Sequence, residues 1–169
     1  LFEDYRLLTG QYDKLVSVEM IEAVGKEYLD SYFAKCSSLL KPEGLMVLQA
    51  ITIADQRFEH YSKEVDFIQK FIFPGGFLPS VTKMASAVCQ GTDLVIRHLS
   101  DIGLDYARTL ADWHQRFEQQ KDQVLALGYD ARFIRMWQFY LCYCEGGFLE
   151  RATSTVHLVL SKPGFKAAV

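Results

Sequence analysis

Two carboxylates, Glu19 and Glu22, follow the short apolar segment Tyr12–Ser17. Carboxylates three residues apart beyond a strand can accept hydrogen bonds, hold an anion's hydroxyl or take a proton. Gln49 is the one polar residue in the apolar run Leu45–Ile53. A lone amide in a buried strand needs a partner, either in the core or in a site. Tyr106 sits in the first turn of a helical stretch, directly after the turn Asp101-Ile-Gly103. Each of these residues also has an ordinary reading: the glutamates as solvated loop residues, Gln49 as a satisfied core amide, and Tyr106 as packing.

The elements around them give the chemical reading its shape. Tyr12–Ser17 reads as a short buried strand, and Leu45–Ile53 as a central parallel strand covered on both faces. Glu19, Glu22 and Tyr106 then fall at the carboxyl ends of strands, with Gln49 towards that end, where open α/β sheets bind ligands. A helical stripe runs from Glu27 to Leu40 and is stopped by Lys41-Pro-Glu-Gly44. Ala54–Lys63 is polar, a loop or helix start, and Val65–Phe73 reads as a short helix. Phe73-Pro-Gly-Gly-Phe-Leu-Pro-Ser80 is the strongest turn signal, apolar enough for a lid or pocket wall. Pro79 or Ser80 opens a helix to about Gln90, and Asp93–Leu99 alternates like an edge strand. Asp105–Leu127 predicts one helix, ended by Gly128. Asp130 caps an aromatic helix bearing Phe133, Trp137, Tyr140 and Phe148, either plain core or the wall of an apolar tunnel. Ser154–Ser161 is a final strand. The order predicts an α/β fold with an added helical layer.

Composition narrows the function. The chain has 169 residues, half of them hydrophobic, and a net charge of -3 at pH 7. That suffices for one domain with a real core. No Lys or Arg stripe is present, which argues against a nucleic-acid partner. The four histidines are scattered, and of the cysteines only Cys142 and Cys144 are close, with no metal-ligand spacing. The thiols read as reduced and mostly buried in a cytoplasmic protein, with local contact at the inner membrane face left open. No signal peptide or membrane span is read. The chain does not begin with Met and reads as a fragment or an expression piece.

Several segments, in this order, resemble the carboxyl-terminal part of a cyclopropane-fatty-acyl-phospholipid synthase. They are DYR at Asp4–Arg6, YDKLVSVEMIEAVG at Tyr12–Gly25 and LLKPEGLMVLQAITI at Leu39–Ile53. FIFPGGFLPS at Phe71–Ser80, DIGLDYARTLADW at Asp101–Trp113 and FYLCYCEGGF at Phe139–Phe148 complete the set. The resemblance covers about Asp4 to Gly164. With Gln at position 49 the chain also resembles the carboxyl-terminal domains of plant-type cyclopropane synthases.

The resemblance implies a partial Rossmann-like class I methyltransferase sheet, its carboxyl-terminal strands carrying an added helical layer. It implies S-adenosylmethionine-dependent transfer of a methylene group to the double bond of an unsaturated acyl chain in phospholipid. Bicarbonate is the implied base. Glu22, Ile51 (through its backbone) and Tyr106 match the bicarbonate site. Gln49 stands at a position that is His in the bacterial and mycobacterial pattern; an amide donates a hydrogen bond there but carries no proton. Asp4 and Tyr5 match positions beside the adenine, and Val18 another cofactor contact. The glycine-rich cofactor loop and the site cysteine belong to sequence preceding this one. Residues 1–169 are accordingly read as the carboxyl-terminal portion of a methyltransferase domain, lacking the cofactor-loop half. The activity is assigned to the parent protein, with unsaturated phospholipid as partner and homo-oligomer formation through an exposed sheet edge in view. Two other readings stand beside this one: an acyl-binding or structural fragment without catalysis, and a small-molecule N-methyltransferase, some of which share the PGG-x-x-PS loop.

Overall fold

The computed structural model describes residues 2–166. Four strands form one open sheet: β1 Tyr12–Val18, β2 Leu40–Ile53, β3 Val95–Asp101 and β4 Thr153–Ser161. Their spatial order is β1-β2-β4-β3. β1 and β2 run parallel, while β4 lies antiparallel between β2 and β3. The sequence reading of β2 as a wholly parallel strand is therefore half right, since one of its neighbours is reversed. That pairing joins residues about a hundred positions apart and leaves no local signal.

Alternation in β2 and β4 decides the two faces. Met46, Leu48 and Ala50, with Val156, Leu158 and Leu160, are buried in the larger core. Helix α1, Leu29–Ser38, covers that face with Leu29, Tyr32, Phe33 and Cys36. A buried bond from the Tyr32 hydroxyl to Ser17 Oγ, 2.7 Å, satisfies the polar group brought in with α1. Two short helices follow β2: α2, Asp55–Tyr61, and α3, Phe67–Phe71. Asp66 starts α3 with a reciprocal capping box to Gln69. Helix α4, Val81–Gly91, is capped by Ser80 and adds Met84, Ala87 and Val88 to the same core.

The opposite face carries α5, Gly103–Gln119, and α7, Ala131–Leu149, joined by the short α6, Lys121–Ala126. Asp130 caps α7 by accepting from the Phe133 N–H at 2.8 Å. Ala107, Leu110, Leu141 and Phe148 form a second, smaller cluster, with Ile51 packed on it from the sheet.

Three boundaries differ from the sequence reading. The helix expected over Asp105–Leu127 breaks at Gln120, whose backbone leaves the helical region without Gly or Pro to announce it. Lys41-Pro-Glu-Gly44 is not what stops the helix: α1 already ends at Ser38, with Leu39 as its cap. The segment lies inside β2, where the register to β1 jumps between Tyr12 and Lys14. The carbonyls of Pro42 and Gly44 accept from the Gly164 and Lys162 N–H groups, so the bulge stays hydrogen-bonded. The edge strand runs two residues later than expected and forms the outermost strand of the sheet.

Candidate active site

Where β1 ends, the chain turns at Glu19, which adopts φ 48°, a left-handed conformation uncommon outside glycine. Its N–H donates to the Gln49 carbonyl at 2.9 Å, so the turn is pinned to β2. The next residues form a single 3₁₀ turn, Ile21–Ala23, with Ile21 fully buried as an anchor. Together these features fix the two carboxylates in different places, although only three residues separate them.

Glu19 faces across the strand ends. One carboxylate oxygen accepts from Gln49 Nε2 at 2.8 Å and the other from the Tyr106 hydroxyl at 2.9 Å. Burial first, and then the neighbouring Glu19, push the Tyr106 phenol well above its ordinary value. The phenol therefore stays protonated and remains a donor. Its ring stacks on Phe148, centroids 4.9 Å apart, and meets Trp113 edge-on at 6.4 Å.

Glu22 takes a different partner, the backbone of β2. Its Oε1 accepts from the Ile51 N–H at 2.6 Å, while Oε2 is buried with no partner. Burial raises this carboxyl; backbone N–H donors pull it back, and Glu19 adds to the rise. A half-satisfied, desolvated carboxylate in a cleft is a functional-site signature with a physical cause. The Phe73–Ser80 turn walls this side. Phe77 donates its N–H to the Glu22 carbonyl at 2.8 Å, packs edge-on against Phe58, and is buried. Pro79 accepts from the Ile53 N–H. These bonds, with one from the Leu78 N–H to the Tyr61 hydroxyl, tie the turn to the end of the sheet.

The site also holds a residue the sequence reading passed over. His157 lies opposite Gln49 in the β2–β4 register, and its Nε2 is 2.8 Å from Gln49 Oε1. The site has Gln on β2 and an imidazole on the adjacent strand. The alternation Val156, Leu158, Leu160 puts His157 on the face away from the main core, as Leu48 and Ala50 do for Gln49. That shared parity was the available signal. The strand pairing that unites them was not.

The remaining expected residues divide. Asp4 and Tyr5 line a cleft of about 490 Å³ with Met20, Val24 and Tyr28. Arg6 bonds the Asp4 carboxylate at 2.6 Å and holds its pKa down at about 2. Val18 is not on that wall; it ends β1 beside Gln49 and is exposed. A second cavity, about 330 Å³, lies between α5 and α7, lined by Trp113, Arg116, Phe117, Trp137, Tyr140 and Leu141. It is apolar and adjoins the Tyr106 aromatic stack. Cys142 is exposed and Cys144 half-buried on α7, with no group of metal ligands among the described residues.

The family model for mycolic acid cyclopropane synthetase matches residues 1–158. The chain belongs to this family. Tuberculostearic acid methyltransferase UfaA1 of Mycobacterium tuberculosis is 45% identical over 145 residues, which is 86% of this chain and 34% of that protein. The cyclopropane-fatty-acyl-phospholipid synthase of Escherichia coli is 37% identical over 167 residues, 96% of this chain and 41% of that one. The chain thus spans less than half the length of these curated relatives. Among solved structures, mycolic acid cyclopropane synthase CmaA1 complexed with SAH and CTAB matches with a TM-score of 0.87 at 24% identity. That match covers 96% of this chain and 59% of that one. The likeness is one of fold: this chain shares the class I methyltransferase fold of that structure.

Proposed function

We propose that this chain is the carboxyl-terminal portion of a methyltransferase domain that adds a one-carbon unit from S-adenosylmethionine to the double bond of an unsaturated phospholipid acyl chain, closing a cyclopropane ring. The observation that carries the reading is Glu22. One of its oxygens is fixed by the Ile51 N–H, and the other is buried and unpartnered beside the Glu19–Gln49–Tyr106 cluster and an aromatic wall. The mycolic acid cyclopropane synthetase relatives named above act on lipids by their names, and this supports the substrate class.

The residues present fit both implied small molecules. The cleft beside Asp4 and Tyr5 offers an ionised carboxylate and aromatic walls suited to a nucleoside. Glu22 Oε2 is an acceptor awaiting a donor, as the hydroxyl of bicarbonate would be. When bound, S-adenosylmethionine supplies an electrophilic methyl group and bicarbonate a base. Asp4 and Tyr5 would hold the first; Glu22, Ile51, Gln49 and Tyr106 would hold the second.

The chain's own groups do the rest. Tyr106, Phe148 and Trp113 present ring faces and edges next to the strand ends, where positive charge developing on the alkene carbons is stabilised. The apolar cleft between α5 and α7 offers a surface on which an acyl chain can lie and so keep water from that charge. Glu19 occupies the Tyr106 hydroxyl and one of the two Gln49 N–H donors, so the phenol reaches an incoming anion only as Glu19 withdraws, while the second Gln49 N–H can turn to it at once. Exposed Phe71, Phe73, Phe139 and Tyr143 supply apolar surface for peripheral contact with a bilayer. No helix among the described residues is long and apolar enough to cross one.

The test uses the protein as its gene encodes it, with vesicles of unsaturated phospholipid and methyl-labelled S-adenosylmethionine. Label in a cyclopropane acyl product supports the reading. Label in a methyl branch would keep the lipid substrate and overturn ring closure, in line with the methyltransferase UfaA1. Label in a small amine alone, or in nothing, would overturn the reading.

A further inference from the structure

We infer that His157 is a positioning residue of this site: its Nε2–H fixes the Gln49 amide, which in turn holds the Glu19 carboxylate against Tyr106. The argument is one of donors and acceptors. Glu19 lies 2.8 Å from one terminal atom of Gln49, and His157 Nε2 lies 2.8 Å from the other. An ionised carboxylate only accepts, so the atom facing Glu19 is the NH₂ group. The atom facing His157 is then the carbonyl oxygen, which only accepts. His157 Nε2 must therefore carry a proton.

The second observation is geometric. Gln49 and His157 are directly opposed in the antiparallel register of β2 and β4, on the face that looks at α5. Such opposed residues stand within contact distance without any loop to hold them. The contact is built into the sheet and is as rigid as the sheet. A flipped amide would set its oxygen against the Glu19 carboxylate, a clash that no change of imidazole tautomer relieves. Glu19 thus sets the amide orientation, and the His157 Nε2–H holds it from the opposite end. The chain continues from Glu19 Oε2 to the Tyr106 hydroxyl at 2.9 Å, so the imidazole on β4 sets the position of a phenol on α5. His157 touches no reacting atom in this arrangement; it acts through Gln49.

The turnover part of this inference rests on the proposed methyltransferase reading, and the structural part does not. Nitrogen-15 NMR of histidine-labelled protein, as its gene encodes it, reads the protonation of each imidazole nitrogen directly. We expect a proton on His157 Nε2 that exchanges slowly and loses that protection in Gln49→Leu. A bare Nε2 overturns the inference whether or not the protein proves to be a methyltransferase. In the lipid assay, His157→Leu should lower kcat by roughly tenfold with KM little changed, the effect of leaving a buried acceptor unpaired. His157→Gln restores an N–H donor at the same place and should recover turnover to within about threefold. Equal loss in both variants would overturn a positioning role in favour of proton transfer. No loss in His157→Leu would overturn any role. If the wild-type protein transfers nothing to lipid, the proposed function falls while the NMR result still decides the case of His157.

Discussion

Replacing Glu22 by Gln should make the protein more stable and inactive at once. Burial raises the Glu22 carboxyl above its ordinary range, and one of its oxygens has no partner. The Ile51 N–H bond survives the change, because an amide oxygen accepts as a carboxylate does. What the substitution removes is the charge. An unpaired charged group costs more than a neutral one, and the difference is about 1 kcal/mol for a partly desolvated site. That corresponds to a rise in Tm of about 2–4 °C for a domain of this size. The pH dependence follows from the direction of the shift. A carboxyl raised on folding destabilises the folded state fully above its folded pKa, and not at all below its unfolded value near 4.5. The advantage of Glu22→Gln should therefore be largest at neutral pH and vanish as pH falls through the raised pKa towards 4.5. Urea unfolding of both proteins at pH 7.5 and at pH 5 measures it. A variant less stable than wild type at pH 7.5, or an advantage independent of pH, would refute the reasoning. Lipid turnover should fall more than about a hundredfold, as expected when a group that holds the base is neutralised.

Tyr106→Phe removes one donor from Glu19 and should cost about 1 kcal/mol in urea unfolding while lowering turnover far more. Gly103→Ala places a methyl group against Ser154 at the start of α5, one turn before Tyr106. It should cost about 1–3 kcal/mol by thermal melting and depress turnover from a distance. The exchanged pair Gln49→His with His157→Gln should retain more turnover than His157→Leu in the same lipid assay, since it keeps an amide and an imidazole at the same two places. β1 has no strand on its outer side among the described residues, and Val16 is exposed on it. The 169-residue chain should show a mass that rises with concentration in sedimentation, and Val16→Lys should suppress the rise.

The legible parts of this site were those set by local pattern. The apolar pair Leu15 and Val16, the run Leu45–Ile53 and the stripe on α5 each announced an element, and so placed Glu22, Gln49 and Tyr106 at one edge; β1 itself is a largely exposed edge strand rather than the buried one its apolar pair predicts, because nothing covers its outer side among the described residues. Which partner each would find was not legible. Glu19 and Glu22 look equivalent as letters; beyond a left-handed turn at Glu19 and a buried Ile21, one meets the side chains of Gln49 and Tyr106 and the other the Ile51 backbone. Gln120 breaks a helix that composition would continue, and Pro42 sits inside a strand because the bulge there leaves its missing N–H unneeded. His157 was hidden by distance along the chain, since only the insertion of β4 beside β2 gives it a place in the site.

Val18, Gln49, His157 and Ser100 form one row running across four strands at the level of the site. Chemistry in such a row is held in common. A functional group moved to a neighbouring strand shifts by roughly one strand spacing, about 5 Å, and still reaches the same cluster. Read one sequence position at a time, position 49 offers an amide and no imidazole; read row by row, the imidazole of His157 stands at the same level on the next strand.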